Sequence, residues 1–179
     1  TDEALRGYGT NAKMNPPLRE HGDIEALLGG IADGTIGILA TDHAPHTAEQ
    51  KASSDYMKAP AGLPLVQDVL VAALDLALDG HYDLPTLVTR AMHNPAVRFG
   101  VRERGFLREG YWADLVLVDL IGSTRVNANR CLYHVGWTPF EGRSFNSRVA
   151  GTWVNGVLAF DGENVLEHGA ARALEYDRN

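Results

Sequence analysis

Cysteine is almost absent from this 179-residue chain: Cys131 stands alone, which excludes an internal disulfide and removes any demand for an oxidising compartment. Basic clusters are missing as well. With 16 Lys and Arg against 23 Asp and Glu, the formal net charge is −7. A phosphate backbone needs a positive field, so a nucleic-acid partner is excluded. No apolar run is long enough to span a bilayer, because the longest, "LVQDVLVAALDLAL", is broken by Gln67, Asp68 and Asp75. The opening "TDEALRGYGTNAK" lacks the basic-then-apolar pattern of a secretory signal. There is no internal repeat. What is present is 45% hydrophobic and 22% charged, an ordinary globular composition that can build a core. The expectation is a soluble, cytoplasmic protein with no membrane partner.

Along the chain, "DIEALLGGIADGT" places Ile24, Leu27, Leu28 and Ile31 at helical spacing, with Asp23 at the N-cap and Gly34 at the stop. "TIGILAT" follows, of strand length and bounded by glycine, and reads as a strand buried on both faces. A long loop without period comes next; the length and small-residue content of residues 47–59 suggest a lid. "LPLVQDVLVAALDLALDG" predicts a helix with Leu65, Val69, Ala72, Ala73 and Leu76 on one face, ended by Gly80. A further helix opens at Leu84 with Pro85 in its first turn and runs toward His93; "NPAVRFG" predicts another, capped by Asn94. After Gly100 the texture turns to strands: "ADLVLVD", then "RVAGTWVNGVLAFDG", a hairpin turned at Asn155-Gly156. The first hundred residues make about one and a half units of a parallel α/β fold, too few strands to close a sheet.

Chemistry concentrates in "GILATDHAPHT", residues 37–47. If the sheet is parallel, Asp42 sits at the carboxyl end of its strand, where α/β barrels build their active sites. A carboxylate there can ligate a metal, accept a proton, or do both in turn. His46, four residues on, can reach a substrate. The same residues also suit a solvated polar loop, and composition alone does not choose. In "NAKMNPPLRE", two prolines stiffen the backbone after Asn15, whose amide could read a carbonyl or carboxylate; an ordinary surface turn is the alternative.

Taken together, "KMNPPLR", "DGTIGILATDHAPHT", "KAPAGLPLVQ", "HNPAVRFGV" and "RGFLREGYWADLVLVD" resemble the dihydroorotases of the amidohydrolase superfamily, in order and approximate spacing, over nearly the whole chain. "ATDHAPH" is the specific part, while the glycine-rich element before "ADLVLVD" is common to many amidohydrolases. "GWTPFEG" shares the resemblance without showing any chemistry of its own. The resemblance implies an α/β fold: the carboxyl-terminal part of a distorted (β/α)8 barrel at residues 1–100, followed by β-sandwich strands at 101–179. It further implies one or two zinc ions per complete site, with Asp42 as metal ligand and catalytic proton shuttle. Asn15 and His46 would hold the carboxylate and ring of a small-molecule substrate, dihydroorotate or carbamoyl-aspartate. The stretch at Ala61 and Gly62 would meet the pyrimidine ring; "APAG" leaves Ala61 only its main chain to offer.

Such enzymes also carry a His-x-His pair, a bridging carboxylate and two further histidines, and none of the seven histidines here fits those roles. His21 lies in the approach to a helix. His81, His93, His134 and His168 fall in or after the last barrel unit. His93 reads as a packing or capping residue, and His43 as a neighbour of the site rather than a ligand. The chain is therefore expected to be the carboxyl-terminal portion of a larger enzyme, a homodimer when complete, and to bind zinc poorly by itself. The alternatives are another cyclic amidase (dihydropyrimidinase, hydantoinase or allantoinase) and a non-catalytic dihydroorotase-like subunit that scaffolds aspartate transcarbamoylase.

Overall fold

A computed structural model describes residues 1–167 and 169–177, so His168 lies outside the described residues. A short helix α1 (Ala4–Tyr8) and a 3-10 turn lead to α2 (His21–Asp33). Helix α2 begins earlier than its apolar period suggests. Its N-cap is Glu20, and Asp23 occupies the third helical position, where its carboxylate accepts the Glu20 N–H at 3.2 Å. Gly34 ends it in the left-handed region (φ 93°), as the sequence predicts.

The run expected as a strand, residues 35–41, carries no ladder among the described residues; the first parallel bridge comes just after it, between His43 and Leu63. Its apolar residues Ile36, Ile38 and Leu39 are half-buried rather than enclosed on both faces. A central barrel strand needs a neighbour on each side, and among the described residues the pairing is limited to His43 with Leu63.

After a one-turn helix α3 (Ala48–Lys51), α4 (Val69–Leu78) forms the centre of the molecule. Of the predicted face, Ala73 is buried and Ala72 and Leu76 pack partly buried against the cores, while Leu65 lies before the helix; Val71, Leu74 and Asp75 are buried besides. The helix is apolar nearly all round, so no single stripe is marked. One side joins Ile31, Tyr82 and Leu87 in the main core; the other places Val71 beside Val126 and Phe145 in a second cluster. Buried Asp75 ties α4 to the strands by accepting the Asn146 N–H at 2.8 Å.

Helices α5 (Leu84–Val88) and α6 (Asn94–Arg98) run into one another through a π turn at Thr89–His93, where the sequence predicts a break. Pro95 has no N–H to return to the preceding turn, and the wider π turn carries the chain through. Asn94 is not a cap; its amide donates to Gly37 O at 2.6 Å. His93 stacks on Phe106 with centroids 4.3 Å apart, which is a packing role.

The remaining residues form a three-stranded antiparallel sheet in the order β1 (Leu115–Asp119), β4 (Arg148–Val154), β5 (Val157–Phe160). A two-stranded ribbon joins β2 (Thr124–Arg125) to β3 (Ser144–Phe145). The β4–β5 turn holds Asn155 at φ 50° and Gly156 at φ 85°, the double left-handed geometry expected of Asn-Gly. Arg104, itself buried, locks that turn by donating to Asp114 and to Asn155 Oδ1. Among the described residues no helix is long and apolar enough to cross a membrane.

Candidate functional site

Asp42 has φ 45°, a left-handed conformation that aspartate tolerates better than most residues because its short carboxylate can satisfy the local backbone. The side chain is exposed and makes no hydrogen bond or ion pair with other described residues. It is a carboxylate held out at the end of a run, not one tied into a buried pair.

The two histidines after it do different work. His43 Nδ1 accepts the N–H groups of Leu65 (3.0 Å) and Val66 (3.2 Å), so the ring proton sits on Nε2. With one nitrogen occupied and the other protonated, the ring has no lone pair for a metal; it fastens the Asp42 turn to residues 63–66 and lies 5.4 Å from the Tyr133 ring. His46 Nε2 lies 3.1 Å from the carbonyl of Ala61, which can only accept, leaving Nδ1 as the ring nitrogen without a partner.

Residues 61–63 close the patch. Ala44 N–H donates to Leu63 O at 3.1 Å, and Gly62 N–H donates to Lys13 O at 3.0 Å, two residues before Asn15. Gly62 is at φ 133°, and a Cβ there would lie 2.5 Å from Ala44 O, so only glycine allows this approach. The Ala61 N–H has no partner among the described residues and is available to a ligand. Through these contacts the segments bearing Asp42, His46, Asn15, Ala61 and Gly62 converge; Asn15 itself is exposed and touches none of the others through its side chain.

Sequence reasoning overlooked two contributors. Lys51 is fully buried and donates to Lys13 O, Pro60 O and Gly62 O. Burial, and then the nearby Lys13 charge, push its amine below the ordinary range. The Thr47–Gln50 capping box was the legible signal that a helical turn, not free loop, precedes it. Lys13 Nζ in turn takes the carbonyls of Tyr56 (2.7 Å), Met57 (3.2 Å) and Ala59 (2.7 Å). Residues 51, 56, 57 and 59 of this loop are thus tied to residue 13. The second contributor is Trp137, whose Nε1–H donates to His46 O at 2.8 Å, giving "GWTPFEG" a role in holding the histidine turn. Next to it Thr138 donates to buried Asp68 at 3.0 Å. Burial raises the Asp68 carboxyl, against the opposing pull of hydrogen bonds from Thr138 and Tyr133. Burial likewise pushes the Tyr133 phenol up to about 12.

Among the described residues no three His, Cys, Asp or Glu side chains gather into a group able to hold a metal ion.

A model of the amidohydrolase family matches residues 2–159. The chain belongs to the amidohydrolase family. Among its relatives, proteins named dihydroorotase from Geobacter sp. (strain M21) and Halobacterium salinarum are each 40% identical, over 160 and 170 residues. These alignments cover 89% and 91% of this chain but only 37% and 40% of the relatives, so the chain spans well under half the length of the curated proteins it matches. Solved amidohydrolase structures superpose closely. An L-hydantoinase (dihydropyrimidinase) from Arthrobacter aurescens gives a TM-score of 0.86 at 29% identity, covering 93% of this chain and 38% of that one. A D-hydantoinase (dihydropyrimidinase) from Thermus sp. gives 0.82 at 28%, covering 94% and 38%. The α/β architecture read from the sequence is therefore that of this family, and its resemblance to dihydroorotases holds across most of the chain.

Proposed function

We propose that the complete protein carrying this chain is a dihydroorotase, opening the cyclic amide of dihydroorotate to N-carbamoyl-aspartate and closing it again in pyrimidine synthesis. The reading is supported by one convergence: His46 on the Ala61 carbonyl and Gly62 on the Lys13 carbonyl bring together the segments that carry Asp42, Ala61 and Asn15. It occurs in a chain 40% identical to proteins named dihydroorotase.

A ring amide is a poor electrophile, and zinc held by Asp42 together with ligands from outside this chain would polarise its carbonyl and activate water. The residues of this chain supply the rest. Asp42 accepts a proton from the attacking water and delivers it to the leaving ring nitrogen; in the reverse direction it removes that proton and returns it. The carboxylate is exposed and makes no hydrogen bond or ion pair with other described residues, so it can reach both atoms. Asn15 donates its amide to the substrate carboxylate. His46 faces the same group through Nδ1, the ring nitrogen not engaged with the Ala61 carbonyl. The free Ala61 N–H meets a ring carbonyl.

Asp42→Asn keeps the shape and removes the base, so turnover of dihydroorotate by the complete protein should fall to background while the fold survives. Near-parental activity in that variant refutes the proton shuttle. The superposition on hydantoinases favours a second reading, a cyclic amidase acting on rings without a carboxylate. Comparing dihydroorotate with dihydrouracil separates the two: equal turnover, or preference for dihydrouracil, overturns the dihydroorotase reading.

A further inference from the structure

Lysine is almost never fully buried without a counter-charge. Lys51 is 0% exposed, and none of the ion pairs among the described residues includes it. Its partners are three carbonyl oxygens: Lys13 at 2.9 Å, Pro60 at 3.1 Å and Gly62 at 3.0 Å. An ammonium has three N–H groups, so the donor is used to completion. A neutral amine would lose one of these bonds, and the planar guanidinium of arginine has the wrong shape for three converging acceptors.

The acceptors come from two segments far apart in sequence. Lys13 precedes Asn15 by two residues, while Pro60 and Gly62 flank Ala61. The same two segments are joined by the Gly62 N–H on Lys13 O. Lys13 reaches the opposite way, its own ammonium gathering the carbonyls of Tyr56, Met57 and Ala59. Two crossed lysines therefore hold residues 56–62 in one shape, and only Lys51 lies at the point where both substrate-facing segments meet.

We propose that Lys51 is a positioning residue: its ammonium sets the spacing between Asn15 and the Ala61–Gly62 turn, and through that spacing the affinity for substrate. The proposal rests on the dihydroorotase reading for the identity of the substrate. Lys51 touches no reacting atom, so its loss acts on binding more than on chemistry.

The test uses the complete protein with Lys51→Ala, which removes a propylammonium equivalent from the buried site. Losing a charged donor shared by three carbonyls should raise KM for dihydroorotate about ten-fold or more while kcat stays within about three-fold. Adding n-propylammonium should restore KM saturably; tetramethylammonium at equal ionic strength, with no N–H, should not. Hydrogen exchange at the Gly62 amide should accelerate in the variant and slow again with n-propylammonium. A folded variant with parental KM overturns the proposal, as does rescue by both cations or by neither. Should Lys51→Ala fail to fold, Lys51→Gln serves the same comparison, and a parental KM there is equally fatal. If the parent protein does not turn over dihydroorotate, the functional reading fails by itself; unchanged Gly62 exchange in the variant then overturns the clasp separately.

Discussion

Gly62→Ala tests the geometry of the site in a single methyl group. The added Cβ would lie 2.5 Å from Ala44 O and 2.6 Å from Ala44 Cβ, where ordinary contact begins at 3.4 Å. The nearer obstacle is backbone, so no rotamer change relieves it. Nor can the two strands simply part, because Ala44 N–H donates to Leu63 O at 3.1 Å and Gly62 N–H to Lys13 O at 3.0 Å. Overpacking of this kind costs about 1–3 kcal/mol. Forcing a side chain to φ 133° adds about 1–3 kcal/mol more. The expected destabilisation of the complete protein is therefore about 2–6 kcal/mol, read from the urea midpoint at unchanged m-value. Because Ala44 lies between Asp42 and His46, the displaced turn should also raise KM for dihydroorotate. Gly29→Ala is the control: it sits in α2 with nothing within 4 Å of its added methyl and an ordinary φ. That change should be neutral, or stabilising by up to about 1 kcal/mol. A Gly62→Ala protein with parental midpoint and parental KM would refute the close approach and the coupling drawn from it.

Asn15→Ala should leave thermal stability near parental, since the side chain is exposed and unpartnered, and should raise KM about ten-fold with little change in kcat; a kcat loss at constant KM would contradict a binding role. Trp137→Phe removes the donor to His46 O, costing about 1 kcal/mol and raising KM about five-fold; steady-state kinetics unchanged in both constants would show that the indole only fills space. Asp68→Asn addresses pH. Burial raises the Asp68 carboxyl above its ordinary 3.8, so the folded state holds this proton longer than the unfolded chain does. That stabilising contribution is complete below 3.8 and is lost as pH rises through the folded value. The unfolding temperature of Asp68→Asn relative to the parent should thus climb with pH above that point, and a difference that is flat or falls would count against the assignment.

Much of the local structure was legible because a residue type answers a backbone demand by itself. Gly34 stops α2, and Asn155-Gly156 turns the β4–β5 hairpin, because both positions need left-handed backbone. Asp42 and its histidines were legible as chemistry because charged groups directly after an apolar run are unusual. The start of α2 was misplaced because Asp23 can serve at the N-cap or reciprocate from the third position, and only the geometry of Glu20 separates the two. The face of α4 was legible only in part because Leu and Ala surround the whole helix, and its two sides are claimed by different clusters.

By itself, then, the order of residues determined the class of architecture and the turns, which follow from propensities and spacing within a few residues. Tertiary structure decided how the groups of the site are held. Lys51 reads as a surface lysine until residues 13, 60 and 62 bring it their carbonyls. Trp137 has no visible task until the chain returns it to His46, 91 residues away in sequence. Hydrogen bonds between distant segments leave no period in a sequence, because their partners are chosen by the fold and not by neighbours along the chain.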